Sequence, residues 1–284
     1  MTTSISNNMS SISILVVLYE KKLNDSETLL SLLHQDVYGI KNLNLIVWDN
    51  SQSRSLTNQE IAFLQDRYQL TYRHCPENRP LRYVYNYFIE NELTAPGISI
   101  FLDDDTALPK NYLRELQEKA ELYSDIDIFV PLIYVSGKIY SPHDYQLFRG
   151  KLWKQKKTGI VKTVDIGCIN SGMAVRTDFF AETNYRYPEY CKSYGTDKHF
   201  FDFYAKRRKF FYVMDIDVEH DISFIPTNTN ADSYLRAFKE YVSFWRSYLQ
   251  PKPAVRSIFI AYAILFSLRE SVRRRDMRFI KIFF

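Results

Sequence analysis

Phe101-Leu102-Asp103-Asp104-Asp105-Thr106 is the stretch that decides the fold: an apolar run that ends in three consecutive carboxylates. Residues 98–102 read as a buried strand, and a helical pattern over 109–123 follows within a few residues. Three like charges at a strand end repel one another and resist desolvation unless a cation or water compensates. At the C-terminal edge of an α/β sheet, where ligands usually bind, a divalent metal is the natural compensator. The alternative is a solvated acidic turn capping the next helix through Asp105 or Thr106.

Outward from this stretch, the chain alternates. Strands are expected over 12–19, 43–48 and 70–74, with helices over 25–35, 58–68 and 81–91 between and after them. This spacing implies βαβ units and a mostly parallel sheet. No GxGxxG or Walker sequence follows the first strand, so a nucleotide here is not held by a glycine loop. Further on, 126–135, 161–169 and 210–218 read as strands, and 177–183, 196–208 and 232–248 as helices. Residues 138–157 read as a loop rich in Tyr, Lys and Trp. The expected organisation is a leader over 1–10, one α/β domain over 11–230 and C-terminal helices over 231–284. The α/β domain divides into a nucleotide-binding half, 11–106, and an acceptor-binding half, 107–230.

The 284 residues are 46% hydrophobic and 25% charged, ordinary for a globular protein, but 22 Tyr and 20 Phe are not. Such a content suits grooves that hold sugars, although core packing also absorbs aromatics. Cys75, Cys168 and Cys191 are widely spaced without a CxxC pattern, which argues against a disulfide framework or zinc site and fits a reducing cytoplasm. From Arg269 onwards six basic residues stand against Glu270 and Asp276, which accounts for the whole net charge of +4. The apolar run over 257–268 is too short to span a bilayer. With the basic tail and its terminal Phe279, Ile280, Ile282, Phe283 and Phe284, it suggests an in-plane anchor on an anionic leaflet. A core helix with a solvated basic end, or a helix docking on a partner subunit, remains open. No recognition motif accompanies the charge, so nucleic acid is not expected as a partner.

In order and spacing, residues 12–221 resemble a family two glycosyltransferase of the inverting GT-A type, closest in character to bacterial rhamnosyl- and galactofuranosyl-transferase-like enzymes of cell-surface polysaccharides. The resemblance implies a Rossmann-like nucleotide-diphospho-sugar transferase fold. Val16-Val17-Leu18-Tyr19 matches the opening strand that lines the nucleobase pocket. Asp49-Asn50-Ser51 matches the element whose carboxylate accepts from a uracil or thymine N–H, although the same residues suit a plain turn. Glu77-Asn78-Arg79 and Asn86 resemble the loop and helix that flank the nucleotide, with Arg79-Pro80 in place of the usual glycine. Asp103-Asp104-Asp105 takes the place of the DxD motif. Asp103 would approach the ribose or donor sugar, Asp104 is the variable middle position, and Asp105 would ligate Mg²⁺ or Mn²⁺ on the diphosphate.

The resemblance further implies that Ser171 and Gly172 leave room beside the donor sugar, and that Asp197 is the general base for the acceptor hydroxyl. Asp197 or Thr196 also suits a helix cap, and relatives carry a longer acidic cluster there than this chain does. His220 would complete the metal shell, and Arg207 and Arg208 read as the solvated basic end of a helix. The implied activity moves a sugar from a UDP- or dTDP-sugar to a lipid-linked or polysaccharide acceptor in O-antigen or capsule synthesis, on the inner face of the cytoplasmic membrane. A haloacid-dehalogenase phosphatase fits poorly, because its motif wants DxDxT on the first strand. A nucleotidyltransferase lacks its Gly-rich loop here. A degenerate glycan-binding or scaffold subunit is the non-enzymatic alternative. The aromatic loop with Tyr140, Tyr145, Phe148 and Trp153 offers an acceptor platform by composition.

Overall fold

The computed structural model describes residues 11–220 and 231–283; the leader 1–10, Asp221 and Phe284 lie outside them. Alternation along the first strand, β1 (Ile12–Leu18), sets up three layers. Ile12, Ile14, Val16 and Leu18 point into one core, and Leu15 and Val17 into the other. A strand buried on both faces is the parallel-sheet signature. β2 (Leu43–Asp49), β3 (Gln69–His74) and β4 (Ile98–Asp103) join it in the order β3-β2-β1-β4, all parallel. The helices α1 (Glu27–Leu33), α2 (Asn58–Gln65) and α4 (Tyr112–Leu122) cover the first face through Leu29, Leu64 and Leu116. The second face is covered by α3 (Leu81–Asn91), through Val84 and Phe88.

Because the chain leaves β1 for β2 on one side and returns as β4 on the other, the carboxylate run ends at the topological switch point of the sheet. Open α/β sheets place their ligands in the crevice there.

The second half departs from expectation in three places. The stretch expected to be a loop is a hairpin of β6 (Lys138–Gln146) and β7 (Arg149–Trp153), which extends β5 (Ile128–Val135). The strand expected over 161–169 is two, β8 (Gly159–Lys162) and β9 (Ile166–Gly167), interrupted at Asp165 with φ 54°. An unforeseen strand, β10 (Met173–Arg176), runs antiparallel between β4 and β5. Helices α5 (Thr177–Thr183) and α6 (Thr196–Ala205) pack on the second face, and β11 (Phe210–Glu219) lies parallel to β5. The result is a mixed, mostly parallel sheet with one antiparallel strand, β10, at its middle, followed by C-terminal helices.

Those helices, α7 (Ala231–Tyr248) and α8 (Pro253–Arg274), form a third core with Phe148 of the hairpin turn. Phe148 meets the rings of Phe259 and Tyr262 at 5.2 and 5.3 Å between centroids. Trp153 is buried and its indole N–H donates to Asp144 at 2.9 Å. Phe148 and Tyr145 of the hairpin therefore dock the helices, Trp153 joins the second core, and Tyr140 lines a cavity.

The tail is also more closed than its composition suggests. Arg275 reverses the chain at φ 52°, Phe279 is fully buried, and Ser267 donates to the Phe279 carbonyl at 2.6 Å. Ile282 and Phe283 pack against the same core. Among the described residues no helix is long and apolar enough to cross a membrane.

Candidate active site

The acidic turn after β4 is held by the helix after β1. Ser26 caps α1, accepting from the Leu29 amide, and its hydroxyl donates to the Asp104 carbonyl at 2.8 Å. Thr28 donates to the Asp103 carbonyl at 2.5 Å and accepts from the Thr106 amide at 2.7 Å. With its backbone clamped by these two hydroxyls, the turn is left to present carboxylates.

The three carboxylates have three fates. Asp104 turns back to β1: it pairs with Lys21 at 2.8 Å and accepts from the Tyr19 amide at 2.9 Å. It brackets the loop after β1, and the Tyr19 ring beside it is exposed. Asp103 accepts from the buried Ser171 hydroxyl at 2.6 Å. Asp105 faces His220, brought alongside by a bridge between Thr106 and His220. The His220 Nδ1 stands 3.5 Å from Asp105 Oδ1, too long to satisfy it, and that oxygen is buried without a hydrogen-bond partner. Burial, with the charges of Asp103 and Asp104, pushes the Asp105 carboxyl up to about 6 against the pull of His220 and Lys21.

One ligand atom from each of Asp103, Asp105 and His220 lies within 4.8 Å of the other two. Two carboxylates and an imidazole around an orphaned buried oxygen fit a divalent cation.

Beside the acidic turn, Ser171 and Gly172 lead into β10 at Met173. The Gly172 amide donates to Phe101 and its φ is 76°; a Cβ there would stand 2.9 Å from Pro131. Both the backbone conformation and the close approach exclude a side chain. Asn170 reaches Thr196 at 3.2 Å, tying this segment to the start of α6. There Gly195, at φ 84° under the Phe244 ring, sets Asp197 at the helix entrance. Asp197 is partly buried and accepts from the Lys198 amide at 2.7 Å. Desolvation pushes its carboxyl up to about 6, with Asp103 adding and Lys198 opposing. An acid poised near neutrality at the cleft is suited to take a proton.

Other anticipated residues are engaged elsewhere. Asp49 is fully buried, accepting from the Ser51 and Ser55 amides and the Ser55 and Tyr72 hydroxyls. Burial opposes its ionisation, but these hydrogen bonds outweigh it and hold the carboxyl below its ordinary value. It organises its turn, and no free acceptor remains for a nucleobase. Asn86 clasps the backbone of Tyr187, donating at 3.0 Å and accepting at 2.8 Å, so it straps a loop rather than facing the cleft. Asn78 and Arg79 are exposed on the loop before α3, with Asn78 at φ 48° and Arg79 over the Tyr83 ring. Arg208 is no solvated helix end: it pairs with Asp127 at 2.6 Å and Glu182 at 2.5 Å.

Sequence reasoning missed four residues. Thr28 and Asn170 act through partners far away in the chain. Asn50 holds the Arg79 backbone from both sides. Lys198 is buried against the Tyr145 ring and paired with Asp202, to which Tyr248 of α7 also donates. Only the Lys198–Asp202 spacing, i to i+4, was legible.

A switch-point sheet with this acidic turn agrees with the GT-A fold that the sequence resemblance implies. Residues 13–183, more than half of the chain, match the family Glycosyl transferase family 2, and the chain belongs to that family. The structure of S. aureus TarS 1-349 in complex with UDP is similar at a TM-score of 0.56 and 16% identity, covering 96% of this chain and 81% of that one. GalNAc-T7 with UDP, GalNAc and Mn²⁺ is similar at 0.54 and 12% identity, covering 87% of this chain and 52% of that one. The chain spans 65% of another TarS 1-349 structure and 40% of a longer TarS chain. At these identities the likeness is one of fold. No curated protein matches the chain.

Proposed function

We propose that the protein is an inverting glycosyltransferase that moves a sugar from a UDP- or dTDP-sugar to a lipid-linked or polysaccharide acceptor of a bacterial surface glycan. The observation that carries this reading is the cluster of Asp103, Asp105 and His220 at the switch point, with a buried Asp105 oxygen left unsatisfied. Asp197, whose carboxyl is raised by burial and by the charge of Asp103, is the candidate proton acceptor beside it. Asp103, Asp105 and His220 would hold Mg²⁺ or Mn²⁺, which when bound supplies Lewis-acid stabilisation of the diphosphate. Ser171 orients Asp103 towards the donor, and Gly172 leaves space for its sugar. Asp197 takes the acceptor hydroxyl's proton as that oxygen bonds to the anomeric carbon. The bond to the nucleoside diphosphate breaks on the opposite side, and the configuration inverts. Tyr19 and the Asp49 turn would border the base, with Asn78 and Arg79 at the outer edge of the nucleotide.

A further part of the reading is peripheral contact with the inner leaflet, by a different surface from the terminal aromatics. Ala254, Ile258, Ala261, Leu265, Leu268 and Val272 are all exposed on α8 at spacings of three and four, a single apolar stripe. Arg269, Arg273 and Arg275 are exposed at its C-terminal end. An apolar stripe with a cationic end suits an anionic leaflet.

The test is calorimetric titration with UDP, dTDP, GDP and CMP, with manganese and then with excess EDTA, followed by transfer assays with the donors of the base that binds. Asp197→Asn is expected to lower turnover by roughly 10²–10⁴-fold while nucleotide affinity stays near wild type. A tenfold loss or less would remove Asp197 from the role. No metal-dependent binding of any nucleotide would favour the degenerate glycan-binding or scaffold subunit.

A further inference from the structure

Between the β5–β6 hairpin and the two C-terminal helices lies a cavity of about 520 Å³. That is within the size range of small-molecule sites, roughly 300–1,000 Å³. Its walls are almost wholly apolar and aromatic: Phe238, Tyr241, Tyr262 and Phe266 from the helices face Tyr140 and Leu152 from the hairpin. Among the described residues the one charged lining residue is Lys138, exposed beside Ser136 at the β5–β6 turn. Apolar walls with a single cation at the rim match an amphiphile that carries one anionic group.

The position of the cavity joins two surfaces already described. Lys138 and Tyr140, two residues apart on β6, both face the cavity. The next residue, Ser141, accepts from the Ile169 amide at 2.9 Å and so ties the strand to the segment that carries Ser171. The charge of Asp197 adds to burial in raising the Tyr140 phenol above its ordinary value, which sets that wall close to the carboxylate. At the other side, Tyr262 and Phe266 each follow a residue of the exposed α8 stripe, Ala261 and Leu265. The cavity thus runs from the neighbourhood of Asp197 to the flank of the apolar stripe.

We propose that this cavity is the lipid subsite of the acceptor, holding the first part of a phosphate-linked hydrocarbon chain between the aromatic walls with its phosphate at Lys138. This rests on the transferase reading above and names its acceptor class, a sugar on a lipid phosphate rather than a free polysaccharide. The sugar lies towards Tyr140 and Asp197, and the chain leaves along α8.

The probe is farnesyl phosphate below its micelle concentration, titrated into the full chain and followed by intrinsic fluorescence, with farnesol and inorganic phosphate as separate arms. Saturable one-to-one binding of farnesyl phosphate is expected, with farnesol weaker and phosphate alone silent. Lys138→Glu, at an exposed position, should weaken farnesyl phosphate by about tenfold and leave farnesol unchanged. Leu152→Trp, which fills the cavity, should weaken both. Absence of saturable binding by the wild type, or equal binding by both folded variants, overturns the assignment. Binding of inorganic phosphate as tight as that of farnesyl phosphate also overturns it, since the walls would then contribute nothing. Manganese-dependent UDP binding is measured on the same samples. If UDP binds and farnesyl phosphate does not, the cavity assignment falls alone. If neither UDP nor dTDP binds, the transferase reading falls and takes the acceptor role with it.

Discussion

Two carboxylate turns stand at the C-terminal ends of the two parallel strands that flank β1, and they are built to opposite ends. After β2, Asp49 is fully buried with hydrogen bonds to both oxygens, and its carboxyl is held below the ordinary range. After β4, Asp105 keeps a buried oxygen with no hydrogen-bond partner, and its carboxyl is pushed up to about 6. The same residue type at equivalent strand ends is a structural tie in one case and an open valence in the other. The difference lies in the donors nearby. Ser51, Ser55 and Tyr72 converge on Asp49, whereas Ser26 and Thr28 bind the backbone of the acidic turn and leave the Asp105 carboxylate alone. An unsatisfied buried acceptor costs stability, and its persistence at the switch point is the mark of a site that receives a ligand.

The largest effect is expected where the open valence is removed. Asp105→Ala should lower transfer by roughly a thousandfold, several kcal/mol of lost electrostatic stabilisation. Because no hydrogen bond is lost, its thermal midpoint should stay at or above that of the wild type, as measured by a circular dichroism melt. Asp49→Asn should do the reverse. It sets an amide donor against donors in a buried turn, so unfolding in urea should show a loss of about 2–3 kcal/mol. At temperatures where it remains folded, metal-dependent nucleotide binding should persist.

The third carboxylate, Asp197, sharpens the contrast through pH. It must be deprotonated to accept a proton, and its carboxyl sits at about 6. At saturating manganese, which separates its titration from that of Asp105, kcat should therefore fall about tenfold for each pH unit below 6 and level off above it. A flat profile between pH 5 and pH 7 (about one unit either side) would assign the proton transfer to another group. The smallest effect is expected at the exposed apolar stripe of α8. Leu265→Gln should lower partition onto anionic vesicles by up to about tenfold, with no change in transfer to a soluble acceptor.

Much of this was legible in the sequence because it is local. The β1, β2 and β4 runs are mostly apolar on both faces, as a doubly covered strand requires, and the acidic turn announces itself by its cost. The order of Asp103, Asp105, Ser171, Asp197 and His220 was also legible, and the resemblance expected Asp105 and His220 in one metal shell; that Asp103 joins the same cluster was not expected. What escaped was non-local or masked by composition. Asn86 is engaged by Tyr187, and Asn170 by Thr196; no spacing rule reports such pairs. The β6 strand carries Pro142 and polar alternation, features that read as loop, and is stabilised by β5, β7 and β9 together. The terminal aromatics look exposed until the reversal at Arg275 returns Phe279 to the rings of Tyr234 and Phe238.

The central claim is that the open valence at Asp105 is a metal position and the closed one at Asp49 is not. Its most direct test is electron paramagnetic resonance of Mn²⁺ titrated into the wild type, Asp105→Ala and Asp49→Asn in the presence of UDP. The account predicts a stoichiometric loss of free-manganese signal for the wild type and folded Asp49→Asn, and no such loss for Asp105→Ala. Manganese held equally well by Asp105→Ala would contradict it.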